Sequence, residues 1–509
     1  MATAIATTES RPVIWSIAAS DSGGGAGIQA DLNTIHSLGC HGCTVITAIT
    51  AQNSVAVEKI HPISAVDLAA QWQSLEKDLL PRSIKIGLLP EPNTLRWLVR
   101  HLKELKLKHS FFSVWDPVLK ASTGARFLDA FDRGEIDPLL HSIDLITPNL
   151  AEAEILTKIK IRSFADIELA AKQLIERGAK NVLIKGGHSF SDDENSTCRD
   201  YFASVDKTNL NGSSFWLSHQ RQDQPHNHGT GCTLASAIAS FVAHDNSLSD
   251  SIVLGNRFIQ QSLRLAAPQG QGAGPVWQAP LENNTKDLGV LDKLHSAFNS
   301  FLQENSYNTA EDLGLYAIVD NLIDLERLIK EGINTLQWRD KSGGNKENLQ
   351  QAIELCEQSN TPLYINDDWQ LALEFNAYGI HLGQEDLSQL TDKDLQRIQA
   401  HGVRLGISCH NETELAYAHS LKPSYLAFGP VFSPNSKIVN HETLGLETLR
   451  QWQLSYGKLY PTTCIGGIDH NNLAQVLATG MTSVAVISAT KTPCSSGQFI
   501  QLFQTLRNK

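Results

Sequence analysis

The 509-residue chain predicts two α/β domains in series: an open, mostly parallel sheet flanked by helices, then a closed barrel of eight strand–helix units. Three observations predict this. Apolar β-rich runs alternate with helical patterns throughout, the pattern dissolves between Gln269 and Asp312, and beyond that break eight strand-like runs recur at regular intervals. The length exceeds one ordinary core and favours division. A hydrophobic content of 41% with 19% charged residues fits a soluble globular chain. The net charge of −12 excludes a chain-wide basic field for nucleic acid or an anionic membrane, so any phosphate site must be local. No apolar run approaches the roughly 18 residues that span a bilayer, and Met1 to Arg11 hold no apolar segment. Eight cysteines are too sparse for a disulfide framework, and a cytoplasmic, reducing location is the expectation. Cys40 and Cys43 have CxxC spacing without a second pair and read as buried structural thiols.

In the first half the expected strands are Val13 to Ala18, Thr44 to Ile49, Ser83 to Gly87, Phe112 to Trp115, Leu145 to Thr147 and Asn181 to Lys185, with amphipathic helices such as Val66 to Leu80 and Ile167 to Arg177 between them. Two glycine-rich turns stand out. Asp21-Ser22-Gly23-Gly24-Gly25-Ala26-Gly27 follows the first strand and enters a helix. His228-Gly229-Thr230-Gly231-Cys232 opens another helix and sets a thiol on its first turn, where unpaired N–H groups and the helix dipole favour a phosphoryl group. The same field is expected to lower the thiol pKa and suit Cys232 to activating a hydroxyl. Two backbone cradles far apart in sequence point to a kinase.

The expected domains are residues 12–280, a linker at 281–311 with a short helix near Leu291 to Leu302, and residues 312–509. The eight barrel runs are Leu315 to Val319, Thr335 to Trp338, Leu363 to Ile365, Gly379 to Leu382, Arg404 to Ile407, Tyr425 to Phe428, Thr463 to Ile465 and Ser483 to Ile487. Gln337, Arg339, Lys341, Asn366, Asp367, Asp386, Ser408, Lys437, Gly467 and Ser488 all fall at or just after strand ends, the face on which barrels hold their chemistry. Gln337, Arg339 and Lys341 alternate along an extended segment and can converge on one anion. Asp367 and Asp386, from neighbouring strand ends, form a natural magnesium site.

The run Ile17 to Leu32, with Val45 to Asn53, Lys85-Ile86-Gly87, Asp116-Pro117-Val118, Thr147-Pro148-Asn149, Lys185-Gly186-Gly187-His188 and the His228 to Cys232 turn, resembles hydroxymethylpyrimidine/phosphomethylpyrimidine kinase over residues 12–280. The resemblance implies a ribokinase-like sheet that transfers phosphate from ATP, twice, to an aminopyrimidine alcohol. It implies Cys232 as general base, Gly229, Thr230 and Gly231 as the anion hole, and Lys185 as the charge-neutralising cation. Asn149 and Glu152 would organise Mg2+, and Ala19, Asp31, Gln52 and Leu88 would line the pyrimidine, with Asp31 and Gln52 reading its edge. Ala19 and Leu88 stand where the family usually has glycine and methionine. A structural ion pair is the alternative for Lys185.

Tyr364-Ile365-Asn366-Asp367, His381-Leu382-Gly383-Gln384-Glu385-Asp386, Gly429-Pro430-Val431-Phe432, Lys437, Ile465-Gly466-Gly467-Ile468 and Val486-Ile487-Ser488 resemble thiamine-phosphate synthase, a TIM barrel, over residues 312–509. That resemblance implies Gln337, Arg339, Lys341, Asn366 and Lys437 on the pyrophosphate of the pyrimidine substrate, Ser408 by its ring, and Asp367 and Asp386 on Mg2+. Ser436, Gly467, Ile487 and Ser488 would hold a thiazole phosphate. Pro434 departs from the family's hydroxyl-rich pattern before the lysine, which offers neither hydroxyl nor N–H there. The product of the first half is then the substrate of the second, and small molecules are the expected partners, with a homo-oligomer left open. The alternative is a pyridoxal-type vitamin kinase joined to a non-catalytic barrel that binds a phosphate ligand.

Overall fold

The computed structural model describes residues 10–118, 133–186, 197–206, 214–292, 313–340, 345–433 and 442–507. It divides into two compact units: one runs to Glu282 and includes Lys286–Leu291, and the other comprises Asn283–Thr285 and the residues from Asp292 onward.

The first unit is built on a sheet of ten strands among the described residues, β1 (Val13–Asp21), β2 (His41–Gln52), β3 (Val57–Pro62), β4 (Ser83–Ile86), β5 (Phe112–Trp115), β6 (Leu145–Ile146), β7 (Asn181–Ile184), β8 (Thr197–Ser204), β9 (Ser214–Gln220) and β10 (Val290–Asp292). Their order is β10-β9-β8-β7-β6-β5-β4-β1-β2-β3. Six strands were expected, and these form the parallel centre from β2 to β7. Three antiparallel pairings add β3 to one flank and β8 and β9 to the other. Helices cover both faces, and on one of them Trp15, Ile17, Val45, Ile84 and Ile86 share a single buried core cluster. Trp15 and Trp72 meet edge to face at 5.1 Å, fixing the helix Ala65–Asp78 on the sheet. Because the central strands are parallel, Asp21, Gln52, Gly87, Asp116, Asn149 and Lys185 gather at one edge, beyond the strand C-termini. Past Thr285 the chain returns to this unit: buried Asp287 meets Arg264 at 2.7 Å, and β10 begins at Val290, where a helix near Leu291 was expected. The rest of that expected helix lies outside the described residues.

The second unit is a closed parallel barrel in sequence order, β11 (Leu315–Val319), β12 (Thr335–Trp338), β13 (Leu363–Asn366), β14 (Gly379–Leu382), β15 (Arg404–Cys409), β16 (Tyr425–Phe428), β17 (Thr462–Cys464) and β18 (Val484–Val486). Tyr316, Tyr364 and Tyr425 are fully buried together in one core cluster with Ala427 and Ala485. Their bulk needs a neighbour without a side chain. A Cβ on Gly406 would lie 2.1 Å from the Tyr425 ring, so glycine there makes room for the aromatic. All eight strands point the same way, and the loops after β12, β13, β14, β15, β17 and β18 share one rim.

Candidate active sites

In the first unit the two glycine-rich turns meet. The Asp21 carboxylate accepts the N–H groups of Gly23 (2.8 Å), Gly25 (3.1 Å) and Ala26 (2.9 Å), which folds the first turn into the helix Gly27–Ser37. Gly229, at φ +83°, opens the helix Thr230–Ala243 without a side-chain cap. A Cβ on Gly229 would sit 2.0 Å from the carbonyl oxygen of Gly25, so only glycine allows the contact. Two helix N-termini therefore converge: Asp21 takes the N–H groups of Gly25 and Ala26 at the first, and the dipole and first-turn N–H groups of the second make an anion-binding end. The Thr230 hydroxyl donates to the Asn227 carbonyl and braces the turn. His228 Nε2 stands 3.4 Å from both Asp21 Oδ2 and Gln52 Nε2, tying Gln52 to the same edge.

Cys232 is buried on the first turn of its helix. Burial pushes its thiol up to about 11, with Lys85 opposing that shift, Asp31 and Asp116 adding to it, and the Gly27 N–H easing it. The expected lowering by the helix field is thus corrected: desolvation and two carboxylates outweigh one dipole and one cation. Beside the thiol, Lys185 Nζ meets Asp116 Oδ1 at 2.6 Å. A Cβ on Gly231 would lie 3.0 Å from Asp116 Oδ2 and 3.1 Å from Lys185 Nζ, so this ion pair borders the anion hole. Burial draws the Lys185 pKa down, but Asp116 and Glu152 more than offset it, and the ammonium stays charged.

Asp31 is a second correction. It is fully buried, with one carboxylate oxygen accepting from Lys85 (2.7 Å) and Ser236 (2.8 Å) and the other from Lys85 (2.9 Å) and Ser16 (2.6 Å). No acceptor capacity is left for a ring edge. Ala19 and Leu88 do come together, with Ala48, in a small apolar cluster flanked by Ile60 and Val118. Asn149 and Glu152 form a reciprocal capping box on the helix Leu150–Thr157, each side chain accepting the other's N–H (2.9 and 2.8 Å).

On the barrel rim, Asp367 ends the β13 loop at φ +66°, and Asp386 occupies the first turn of the helix Gln384–Gln389 after β14. Their carboxyls lie within hydrogen-bonding reach of each other. Burial first, and the neighbouring Asp386 next, push Asp367 up to about 6, while Arg339 and Asn366 pull it back. Two crowded carboxylates facing a guanidinium have the donor chemistry of a divalent-cation site between protein and anion. Beneath them runs a buried polar chain. Gln337 donates to the Tyr316 hydroxyl (3.1 Å), which meets the Tyr425 hydroxyl (2.9 Å); that hydroxyl meets His381 Nδ1 (2.7 Å), and His381 Nε2 meets Ser408 Oγ (2.9 Å). Burial, aided by Arg339 and His410, lowers His381 to about 3, so its imidazole is neutral. Gly467 (φ +62°) follows β17, and Ile487 and Ser488 are exposed after β18. Lys341, Ser436 and Lys437 lie outside the described residues.

Two family models match the chain, phosphomethylpyrimidine kinase over residues 21–277 and thiamine monophosphate synthase over residues 315–490. A probable thiamine biosynthetic bifunctional enzyme, chloroplastic, of Oryza sativa subsp. japonica is 33% identical over 497 residues, covering 94% of this chain and 85% of its own. The corresponding chloroplastic enzyme of Arabidopsis thaliana is 31% identical, covering 98% of this chain and 95% of its own. The chain belongs to the bifunctional thiamine-biosynthesis enzymes. Over the barrel alone, thiamine-phosphate synthase of Yersinia pestis (strain Pestoides F) is 46% identical across 185 residues, 36% of this chain and 84% of its own.

As a bifunctional thiamine-biosynthesis enzyme, the chain joins a hydroxymethylpyrimidine and phosphomethylpyrimidine kinase to a thiamine-phosphate synthase. The pyridoxal-kinase alternative falls away. The expectation of a cytoplasmic location is also corrected, because the Oryza and Arabidopsis relatives, which cover nearly the whole chain, are chloroplastic. Composition and hydropathy report solvent and membrane, and do not distinguish one aqueous compartment from another. In the kinase half, sequence reasoning missed Asp21 and Lys85 as site-shaping residues. In the synthase half it missed His381, Tyr316 and Tyr425, although a histidine and two tyrosines inside apolar barrel strands were signals of a buried polar chain.

Proposed function

We propose that the two catalytic centres work as follows. In the kinase, ATP is the phosphoryl donor and 4-amino-5-hydroxymethyl-2-methylpyrimidine, then its monophosphate, the acceptor. Ala19 and Leu88 pack the ring and Gln52 reads its edge, while the N–H groups of Gly229, Thr230 and Gly231 receive the transferring phosphoryl group. Cys232 removes the hydroxyl proton, and Lys185 neutralises charge on the phosphates. Asn149 and Glu152 would reach Mg2+ through their remaining lone pairs or through water.

In the synthase, Gln337, Arg339, Lys341, Asn366 and Lys437 grip the pyrophosphate of the pyrimidine substrate. Asp367 and Asp386 would hold Mg2+, which would make pyrophosphate a better leaving group by neutralising its charge. The electron-rich ring, beside Ser408, stabilises the methylene cation left behind. The nitrogen of 4-methyl-5-(2-phosphoethyl)thiazole then captures it, its phosphate held by Ser436, Gly467, Ile487 and Ser488. No protein nucleophile takes part.

The observation that carries this reading is the pairing of Asp367 with Asp386 opposite Arg339, a constellation without purpose in a barrel that binds one anion passively. Asp367→Ala should cut pyrophosphate release from the two condensation substrates by roughly 10²-fold or more while leaving kinase turnover intact. Cys232→Ala should do the reverse. If Asp367→Ala condenses its substrates at the normal rate, the magnesium site is misplaced.

A further inference from the structure

We infer that Lys85, anchored by Asp31, which Ser236 holds in turn, is a positioning residue for Cys232, supplying the positive charge beside which the buried thiol releases its proton. The inference rests on the reading of Cys232 as the base and names the group that makes such a base workable. Lys85 lies in the middle of β4 between Ile84 and Ile86, with no exposed surface. A buried ammonium in a central strand is costly unless it is paired and held, and Asp31 holds it with both carboxylate oxygens. Ser236, which donates to Asp31 at 2.8 Å, stands one helical turn after Cys232 on the same helix face. One turn before Asp31 on its own helix, the Gly27 N–H faces the Cys232 sulfur. The two helices thus run in step, Gly27 against Cys232 and Asp31 against Ser236, and Lys85 is pinned against the face that bears the thiol.

The charged groups around Cys232 are Lys85 from β4, Asp31 from its helix, Asp116 after β5 and Lys185 after β7. Lys85 exerts the largest charge effect on the thiol and favours the thiolate, while both carboxylates oppose it. Lys85 itself is kept protonated, since Asp31, Cys232 and Asp116 together outweigh its burial. The resting thiol gives its proton to solvent and leaves a thiolate beside the ammonium. That thiolate takes the substrate hydroxyl proton as the new oxygen–phosphorus bond forms and the bond to departing ADP breaks.

The test is alkylation of Cys232 by iodoacetamide in the full-length protein, followed peptide by peptide against pH. Lys85→Met should move the midpoint up by about one pH unit, seen as alkylation about tenfold slower at a fixed pH below it. Asp31→Asn should move the midpoint down, because the lysine remains beside Asp116 and Cys232 while one opposing carboxylate is gone. Loosened packing would move both variants the same way. Shifts of the same sign, or an unmoved midpoint in either variant, overturn the inference. Should Lys85→Met fail to fold, the double variant Lys85→Met with Asp31→Asn, which leaves neither partner of the pair buried alone, replaces it, and its midpoint must lie above that of Asp31→Asn by itself. Full kinase turnover in Cys232→Ala would strike the base reading and this inference with it, whereas lost turnover with unmoved midpoints strikes Lys85 only.

Discussion

Cys232 and Asp367 are each held at an unusual pKa, and both have consequences that pH can expose. With its thiol pushed up to about 11, Cys232 is protonated at neutral pH, and the thiolate fraction grows tenfold per pH unit below that value. The kinase kcat/KM should therefore climb with pH, with a logarithmic slope near one from neutral into mildly alkaline solution. A plateau at neutral pH would mean that the base is already ionised. Asp367 is raised to about 6. A carboxyl whose folded pKa exceeds its unfolded value contributes stability that is complete below the unfolded pKa of about 3.9 and is lost as pH rises through the folded value. At pH 7 and without Mg2+, Asp367 is thus a strained anion. Asp367→Asn should lose synthase activity yet melt higher by roughly 1–4 °C in metal-free buffer at pH 7, a modest gain because the carboxyl is only half-buried. Equal melting temperatures at pH 7 would deny the carboxylate crowding.

Among the elements, the turn–helix junctions at Gly27 and Gly229 position the kinase chemistry. Gly229→Ala would place a Cβ against the Gly25 carbonyl and force a left-handed residue to carry a side chain. It should lower kinase turnover more than tenfold while synthase turnover, in a separate unit, stays within twofold. A kinase unaffected by this change would show that the two turns need not touch. Both turns were legible in sequence because closely spaced glycines lead straight into a helix, the first of them also after a strand. Asp31 was misplaced for a physical reason. Its motif marks it as functional, but Ile28, Asp31 and Ile35 share the buried face of one helix, and Lys85 sits between two isoleucines of a buried strand. Each charge required the other, and that pairing is long-range. The antiparallel strands β8 and β9 were missed because their Thr, Arg, Asp, Ser and His residues mask the apolar alternation, whereas the central strands, buried on both faces, read without ambiguity. The barrel rim was legible strand by strand, but the tyrosine–histidine chain inside it depends on contacts between strands.

The whole molecule combines two folds whose reactions are chemically consecutive. The kinase loads two phosphates onto the pyrimidine alcohol, and the synthase expels them together. Fusion needs no shared cleft for this, since the intermediate is a stable small molecule. The central claim is tested most directly by giving the intact protein hydroxymethylpyrimidine, thiazole phosphate, ATP and Mg2+ in one vessel and following three products. The account predicts thiamine phosphate, with two ATP consumed and one pyrophosphate released for each molecule formed. ATP consumption without thiamine phosphate, or thiamine phosphate formed equally well by Cys232→Ala, would contradict it.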